Sequence, residues 1–286
     1  MRNFSRLFCG GVTLAAMVVT VACGGGGEEQ TSSEPVDPGL LVSNPSAALV
    51  ASAQRFDEEI ESVEAEYSFE FGMDGFAMGA GGHFAYRAPD SVHMTMEMSG
   101  GDDELFDLGA MGPIEMLVLG DDFYMNSGMT GWMTMSLDDL GADADSLREM
   151  MDMHAPLDFQ TLIDGMDAEV KNLGPVEVGG NTYTRLQITT DLATAMDAMA
   201  DSVSDETFGA GLFDVSGPMT MDILMNPNTL LPYTFEANGD FNMGGESMEF
   251  KMAFKFYDYN GPVDIPAAPE DAAPFSEGLG GLGLGD

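Results

Sequence analysis

The sequence predicts an α+β domain in which helices cover the concave face of a strongly curved antiparallel sheet. Four segments alternate apolar and polar residues with a period of two, which is typical of strands with one buried and one wet face. These segments are residues 67–73, 92–98, 219–225 and 248–256. Other segments have helical patterns, and a sheet that buries one face needs such segments to cover it.

The first helix is predicted at Ser46–Ser62, because an Asn-Pro pair at 44–45 supplies a capping residue and a proline for the first turn. Apolar residues then recur at helical spacing: Ala48, Leu49, Ala51, Phe56, Ile60 and Val63. Two acidic segments rich in Ala and Met are also predicted to be helical. They are Leu137–Met153, continuing through Phe159–Ile163, and Asp191–Val203.

The predicted order is therefore a helix, about five strands, helices, two strands, a helix and three long strands. Glycines between the runs predict hairpin turns at Gly120–Asp122, Gly179–Gly180 and Gly244–Gly245. Together these elements predict a single domain over residues 44–269. The tail, residues 270–286, is mainly Ala, Pro and Gly and is predicted to be disordered.

Residues 1–22 predict an export signal. Arg2 and Arg6 precede a mostly apolar run that is too short to span a bilayer, and the small Ala22 stands directly before Cys23. Thr20–Cys23 resembles the lipobox of bacterial lipoproteins, which implies that the Cys23 thiol is acylated, for example with palmitate. An ordinary cleaved signal followed by a chance cysteine is the alternative. Residues 23–43 are rich in Gly, Glu, Ser and Pro and predict a flexible tether.

The charge excludes whole classes of partner. Nine basic residues oppose 49 acidic ones, for a net charge of −40. Such a surface repels nucleic-acid phosphates and anionic lipid headgroups, so nucleic-acid binding is excluded and only an anchor would hold the chain at a membrane.

No catalytic motif is present in the sequence. The three histidines are His83, His93 and His154, and there is no HExxH, GxSxG or P-loop segment. Cys9 and Cys23 are the two cysteines, so the predicted domain has neither a thiol nucleophile nor a disulfide. We therefore expect no enzymatic activity and no cofactor, and we expect Trp132 to be a packing residue of its hairpin.

Four motifs in one order carry a family resemblance over Pro45–Pro269. They are Phe123–Met125 with Gly131–Met133, Val178–Tyr183, Met219–Pro232, and Phe256–Asn260 with the Pro262–Pro266 exit. With the lipobox, they resemble the LppX/LprG-type lipoproteins of mycobacteria and, more distantly, the LolA/LolB lipoprotein-sorting proteins.

This resemblance implies a LolA-like half-barrel that encloses a cavity for acyl chains. It also implies a lipid or lipoglycan ligand and a transporter as a further partner. The chain would then be lipid-anchored at the outer face of the cytoplasmic membrane or in the periplasm.

The methionines support an adaptable apolar wall, since Met is flexible and accepts varied apolar shapes. There are 25 of them, many at alternate strand positions. The predicted cavity-wall residues are Phe69, Phe71, Met94, Met96, Met98, Met221, Ile223, Phe250, Met252 and Phe254.

Two alternatives use the same residues. The methionines could fill an ordinary core, or their thioethers could bind Cu(I), with Met150–His154 adding an imidazole. In the second case the protein would be an exported copper-binding or protein-interaction module rather than a lipid carrier.

Overall fold

The computed structural model describes residues 37–73, 76–100, 112–128, 130–136, 168–191, 194, 217–243 and 246–275. Two helices precede the sheet: α1 is Leu40–Ser43 and α2 is Pro45–Glu59. The first eleven strands are β1 Ser62–Met73, β2 Phe76–Arg87, β3 Ser91–Gly100, β4 Ile114–Leu119, β5 Asp122–Ser127, β6 Gly131–Ser136, β7 Glu169–Val178, β8 Asn181–Asp191, β9 Pro218–Met225, β10 Pro232–Met243 and β11 Glu246–Tyr257. A short strand, β12, follows at Ala273–Pro274.

All twelve strands form one open sheet in the order β12-β6-β5-β4-β3-β2-β1-β11-β10-β9-β8-β7. The pairs are antiparallel except β12 with β6, which is parallel. The predicted antiparallel sheet is therefore confirmed as a long, open one. Six strands, rather than about five, precede residue 137.

The predicted helix is confirmed as α2 because its start signals work as expected. Asn44 is the capping residue, with its side-chain oxygen accepting a hydrogen bond from Ala47 N at 3.2 Å, and Pro45 occupies the first helical position. The helix ends at Glu59, three residues earlier than predicted, and Ser62 already belongs to β1. The short helix α1 lies in a segment that the sequence assigns to the tether.

The end of α2 is held by a residue from the far end of the chain. Asn260 Oδ1 accepts a hydrogen bond from Glu61 N at 2.7 Å, and Asn260 Nδ2 donates one to Glu59 O at 2.8 Å. Asn260 N also donates to Ser62 O at 2.8 Å. Asn260 has a φ of 56°, a left-handed conformation that Asn tolerates better than most residues. One asparagine thus joins α2, β1 and the segment after β11.

The hairpin turns at Gly120 and at Gly179–Gly180 are confirmed between β4 and β5 and between β7 and β8. Gly244–Gly245 lie outside the described residues. The predicted helix at Asp191–Val203 starts too early, because Asp191 is the last residue of β8. The described part of that segment beyond Asp191 is residue 194 alone, and Leu137–Met153 with Phe159–Ile163 lies wholly outside the described residues.

The chain after β11 crosses to the other edge of the sheet. Val263 and Ile265 pack against Ala85 and Leu117, and β12 then pairs with β6. Residues 270–275, which the sequence places in the tail, thus belong to the described structure, whereas residues 276–286 lie outside it. The opposite edge, β7, has a register shift between Asn172 and Gly174.

Strand β2 approaches β3 closely because it lacks a side chain at one position. A Cβ on Gly82 would overlap Thr95 O, whereas a Cβ on its neighbour Gly81 would meet its nearest atom, Tyr67 O, at 3.3 Å. The first contact involves backbone atoms of the facing strand, so neither strand could relieve it without moving.

We expect Asn260→Ala to lower the free energy of unfolding by about 1–3 kcal/mol, because it removes two hydrogen bonds to backbone groups and leaves Ala in a left-handed conformation. Urea unfolding measures the change. Asn260→Gly is the companion variant, since Gly adopts this conformation without strain. The decrease in its free energy of unfolding therefore reports the loss of the side-chain hydrogen bonds alone. An unchanged unfolding midpoint for Asn260→Ala would contradict this account.

We expect Gly82→Ala to destabilise the fold by about 1–3 kcal/mol, because its new methyl group would overlap the Thr95 carbonyl. Gly81→Ala, one residue away on the same strand, is the matched control and should cost less. Thermal unfolding of the two variants compares them. Equal losses of stability in the two variants would show that the close approach of β2 to β3 at Gly82 does not limit the residue size there.

Candidate functional site

The strand register places apolar side chains on one face of the sheet, which we call the inner face. One continuous row across seven adjacent strands shows the pattern: Ile188, Met221, Ala237, Met252, Phe69, Ala80 and Met98. The next row is Leu186, Ile223, Phe235, Phe254, Tyr67, Gly82, Met96 and Ile114. The inner face is thus apolar without a break from β8 to at least β3.

The structure brings all ten predicted wall residues together on the inner face and in a single apolar cluster. Seven of them are buried: Phe69, Met96, Met221, Ile223, Phe250, Met252 and Phe254. The other three, Phe71, Met94 and Met98, are partly buried and pack against them. At the centre, the Phe69 ring lies 5.4 Å from the Phe250 ring and 5.5 Å from the Phe71 ring, between centroids.

Sequence reasoning missed other members of the inner face. Met116 and Met125 lie there because they pair in line with Met94. Their strands carry apolar residues on both faces, so a period of two could not single them out. Ala80 and Gly82 were missed because small residues give no apolar signal.

Strand β2 contributes small residues to the inner face. Ala80 lies between Phe69 and Met98, and Gly82 lies between Tyr67 and Met96. Ala80 is one of the partly exposed residues of the cluster. The other partly exposed members on β1–β4 are Phe71, Val92, Met94, Met98 and Ile114.

The Tyr67 side chain extends across β2 at Gly82. Its hydroxyl donates a hydrogen bond to Thr95 O at 3.0 Å, two strands away. Burial raises the pKa of the Tyr67 phenol well above its usual value of 10.0, so it remains a neutral donor over the physiological range. Tyr67 thus satisfies a backbone carbonyl while keeping its ring in the apolar surface.

Helices α1 and α2 pack against part of the inner-face cluster. Ala48, Leu49, Phe56 and Ile60 belong to it, and Asn172 Nδ2 on β7 donates a hydrogen bond to Leu41 O at 2.8 Å. Helix α2 also contacts β7, and the chain continues from its end into β1.

The opposite face, the outer face, is polar and acidic over β1, β10 and β11. Its cations are paired with carboxylates: Lys255 Nζ lies 3.5 Å from Glu66 and Lys251 Nζ lies 2.8 Å from Glu249. His93 Nε2 lies 2.9 Å from Glu115 and His83 Nε2 lies 3.6 Å from Glu64. Within the described ranges, no three His, Cys, Asp or Glu residues are placed to hold a metal ion.

A second apolar cluster interrupts the polar outer face. Trp132 and Tyr124 pack there with Leu117, under Val263 and Ile265 of the segment after β11. Trp132 is therefore a packing residue, as predicted. His83 lies on β2 and His93 on β3, and His154 lies outside the described residues.

An open pocket of about 300 Å³ lies at the far end of the β1–β2–β3 outer face. Its lining combines charged or polar residues, Glu70, Ser99, Glu249 and Lys251, with Phe71 and Met78. It is open and of mixed character, and thus differs from the enclosed apolar cavity that the sequence predicts.

No family model and no curated protein sequence matches the chain. Helices of sufficient length and hydrophobicity to cross a bilayer are absent from the residues that the structure describes. Similar folds are found among solved structures. The lipoprotein LppX of Mycobacterium tuberculosis has a TM-score of 0.43 and 13% identity, covering 78% of this chain and 100% of LppX.

LprF of Mycobacterium bovis has a TM-score of 0.41 and 11% identity, covering 82% of this chain and 99% of LprF. A LolA superfamily protein of Nitrosomonas europaea has a TM-score of 0.25 and 10% identity, covering 79% of this chain and 95% of that protein. These include the groups that the sequence motifs resemble. At such scores and identities, the likeness carries nothing about ligand or partner.

Proposed function

We propose that this chain is an exported, acylated lipoprotein whose inner face binds the apolar chains of a lipid or lipid-linked molecule. One observation carries the proposal: the apolar row runs unbroken across seven strands. Seven strands span about 29 Å at standard spacing. The hydrocarbon of one bilayer leaflet is about 15 Å thick, half of the whole core, so the row is long enough for a full acyl chain.

The composition of this face suits a ligand of variable shape. Phe69, Phe71 and Phe250 form a rigid aromatic centre, while the neighbouring β3 contributes Met94, Met96 and Met98. Methionine adapts to irregular apolar surfaces, and each CH₂ removed from water contributes about 0.8 kcal/mol. The partly exposed members on β1–β4 are the proposed contact surface.

The rest of the chain supports attachment to a membrane through Cys23. The net charge of −40 repels anionic headgroups, so an acyl anchor must supply the attachment. Residues 23–39 would be the tether, because they are rich in Gly, Glu, Ser and Pro and α1 begins only at Leu40. The proposed location is the outer side of the cytoplasmic membrane or the periplasm, and a transporter is the proposed further partner.

We expect Met98→Glu to reduce the amount of co-purified lipid at least about tenfold, which corresponds to ~1.4 kcal/mol of binding free energy. The new charge would stand on the inner face beside Ala80, where an acyl chain could not solvate it. Mass spectrometry of lipids extracted from the full chain carrying Cys23→Ala measures the effect without counting the anchor.

Ser99→Glu is the matched control, because Ser99 is the next residue on β3, is exposed and points to the outer face. It adds the same charge and should retain the lipid. Loss of lipid from both variants, or from neither, would refute the inner face as the binding surface. A parent protein that holds copper but no lipid, or neither of them, would favour the alternative module instead.

We expect Cys23→Ala to abolish labelling of the chain by a palmitate analogue and to release it from the acylated fraction. Met98→Glu should be labelled like the parent, because its change is confined to the inner face. Metabolic labelling followed by gel electrophoresis measures both. Continued labelling of Cys23→Ala would show that Cys23 is not the acylated residue.

A further inference from the structure

Four methionines form an unbroken row across four neighbouring strands. The register pairs Met94 of β3 with Met116 of β4, Met116 with Met125 of β5, and Met125 with Met133 of β6. All four therefore point to the inner face, side by side. The sequence does not reveal this row, because each of the four strands places one methionine in it and only the strand pairing brings the four together.

The spacing suits a shared ligand. Side chains directly opposite each other on antiparallel strands have Cβ atoms about 4.5–5.5 Å apart. The Met side chain has three rotatable bonds beyond the backbone. Three consecutive members, such as Met94, Met116 and Met125, can therefore turn their sulfur atoms toward one point above Met116.

Thioether sulfur is a soft ligand and selects soft cations such as Cu(I) over Mg²⁺ or Ca²⁺. Other metal-binding groups do not gather in the described part of the chain: no three His, Cys, Asp or Glu residues are placed to hold an ion there. The row therefore offers thioether sulfur atoms as ligands, whereas zinc and calcium sites use His, Cys or carboxylate ligands.

Exposure and charge make the row accessible to a cation. Met94, Met116 and Met125 are half-buried, whereas Met133, at the end of the row, is 4% exposed. Burying an unpaired charge is costly, and a monovalent ion costs less than a divalent one. The net charge of −40 raises the local concentration of cations and offsets part of that cost.

We propose that the row Met94–Met116–Met125–Met133 binds one Cu(I) ion through consecutive thioethers. The proposal stands apart from lipid binding: it needs only the register of β3–β6. Met94 alone belongs to both surfaces.

The test uses Ag(I), a soft monovalent ion that does not change its oxidation state under these conditions. The protein is the full chain with Cys9→Ser and Cys23→Ser, purified in mild detergent, so that no thiol competes for silver. With methionine methyl groups labelled with ¹³C, silver nitrate in chloride-free buffer should shift the methyl signals of the four row residues. Calorimetric titration gives the affinity.

The double variant Met116→Leu/Met125→Leu should weaken Ag(I) binding at least about tenfold, or ~1.4 kcal/mol, because it removes the central sulfurs while conserving side-chain volume. The double variant Met221→Leu/Met252→Leu is the matched control: both residues are inner-face methionines, and none of their directly paired residues is a methionine. It should bind Ag(I) like the parent. Absence of binding to the parent, shifts confined to other methionines, or equal losses in the two double variants would each overturn the proposal.

Discussion

The rest of the structure depends on one constraint: the central strands β1 and β11 must carry their apolar side chains on the same face of the sheet. Phe69 faces Met252, Phe71 faces Phe250 and Tyr67 faces Phe254 across β1 and β11. Successive strand residues point to opposite faces, so a shift of one residue would turn these side chains to the acidic side. Each buried aromatic or methionine side chain is worth about 1.5–3 kcal/mol, which makes the observed register strongly preferred.

Strands with a clean alternation could be predicted from the sequence, and strands without it could not. The runs in β1, β3, β9 and β11 were visible because a polar, charged or small residue separates most of their apolar residues, with Leu224 of β9 as an exception. In contrast, β2 has Ala80 and Gly82 at inner-face positions, where an alternation would need large apolar residues. Strand β4 is apolar on both sides, because Leu117 packs under Ile265 on the outer face. The pattern there reflects a tertiary contact that local sequence does not contain.

The candidate site shows the same division. Its ten predicted members were found because period two assigns a face within each strand, and the structure places all ten on one face. Their neighbours across strands were not predictable, because the strand order is set by long-range pairing. That order brings the Tyr67 hydroxyl to Thr95 O across Gly82. It also places methionines of β4 and β5 beside those of β3. The capping role of Asn260 could not be predicted for the same reason, because its partners, Glu59 and Glu61, lie far earlier in the sequence.

The junction between α2, β1 and the segment after β11 has a kinetic consequence. Ser62 Oγ donates a hydrogen bond to Gly261 O at 2.7 Å, and these residues are 199 positions apart in the chain. Contacts between such distant residues must overcome a large loop-closure entropy and slow folding. The middle of the sheet therefore cannot assemble until nearly the whole polypeptide has been synthesised. A nascent chain of this topology stays incompletely folded for most of its synthesis, which is the state in which a polypeptide can still be threaded through a narrow channel.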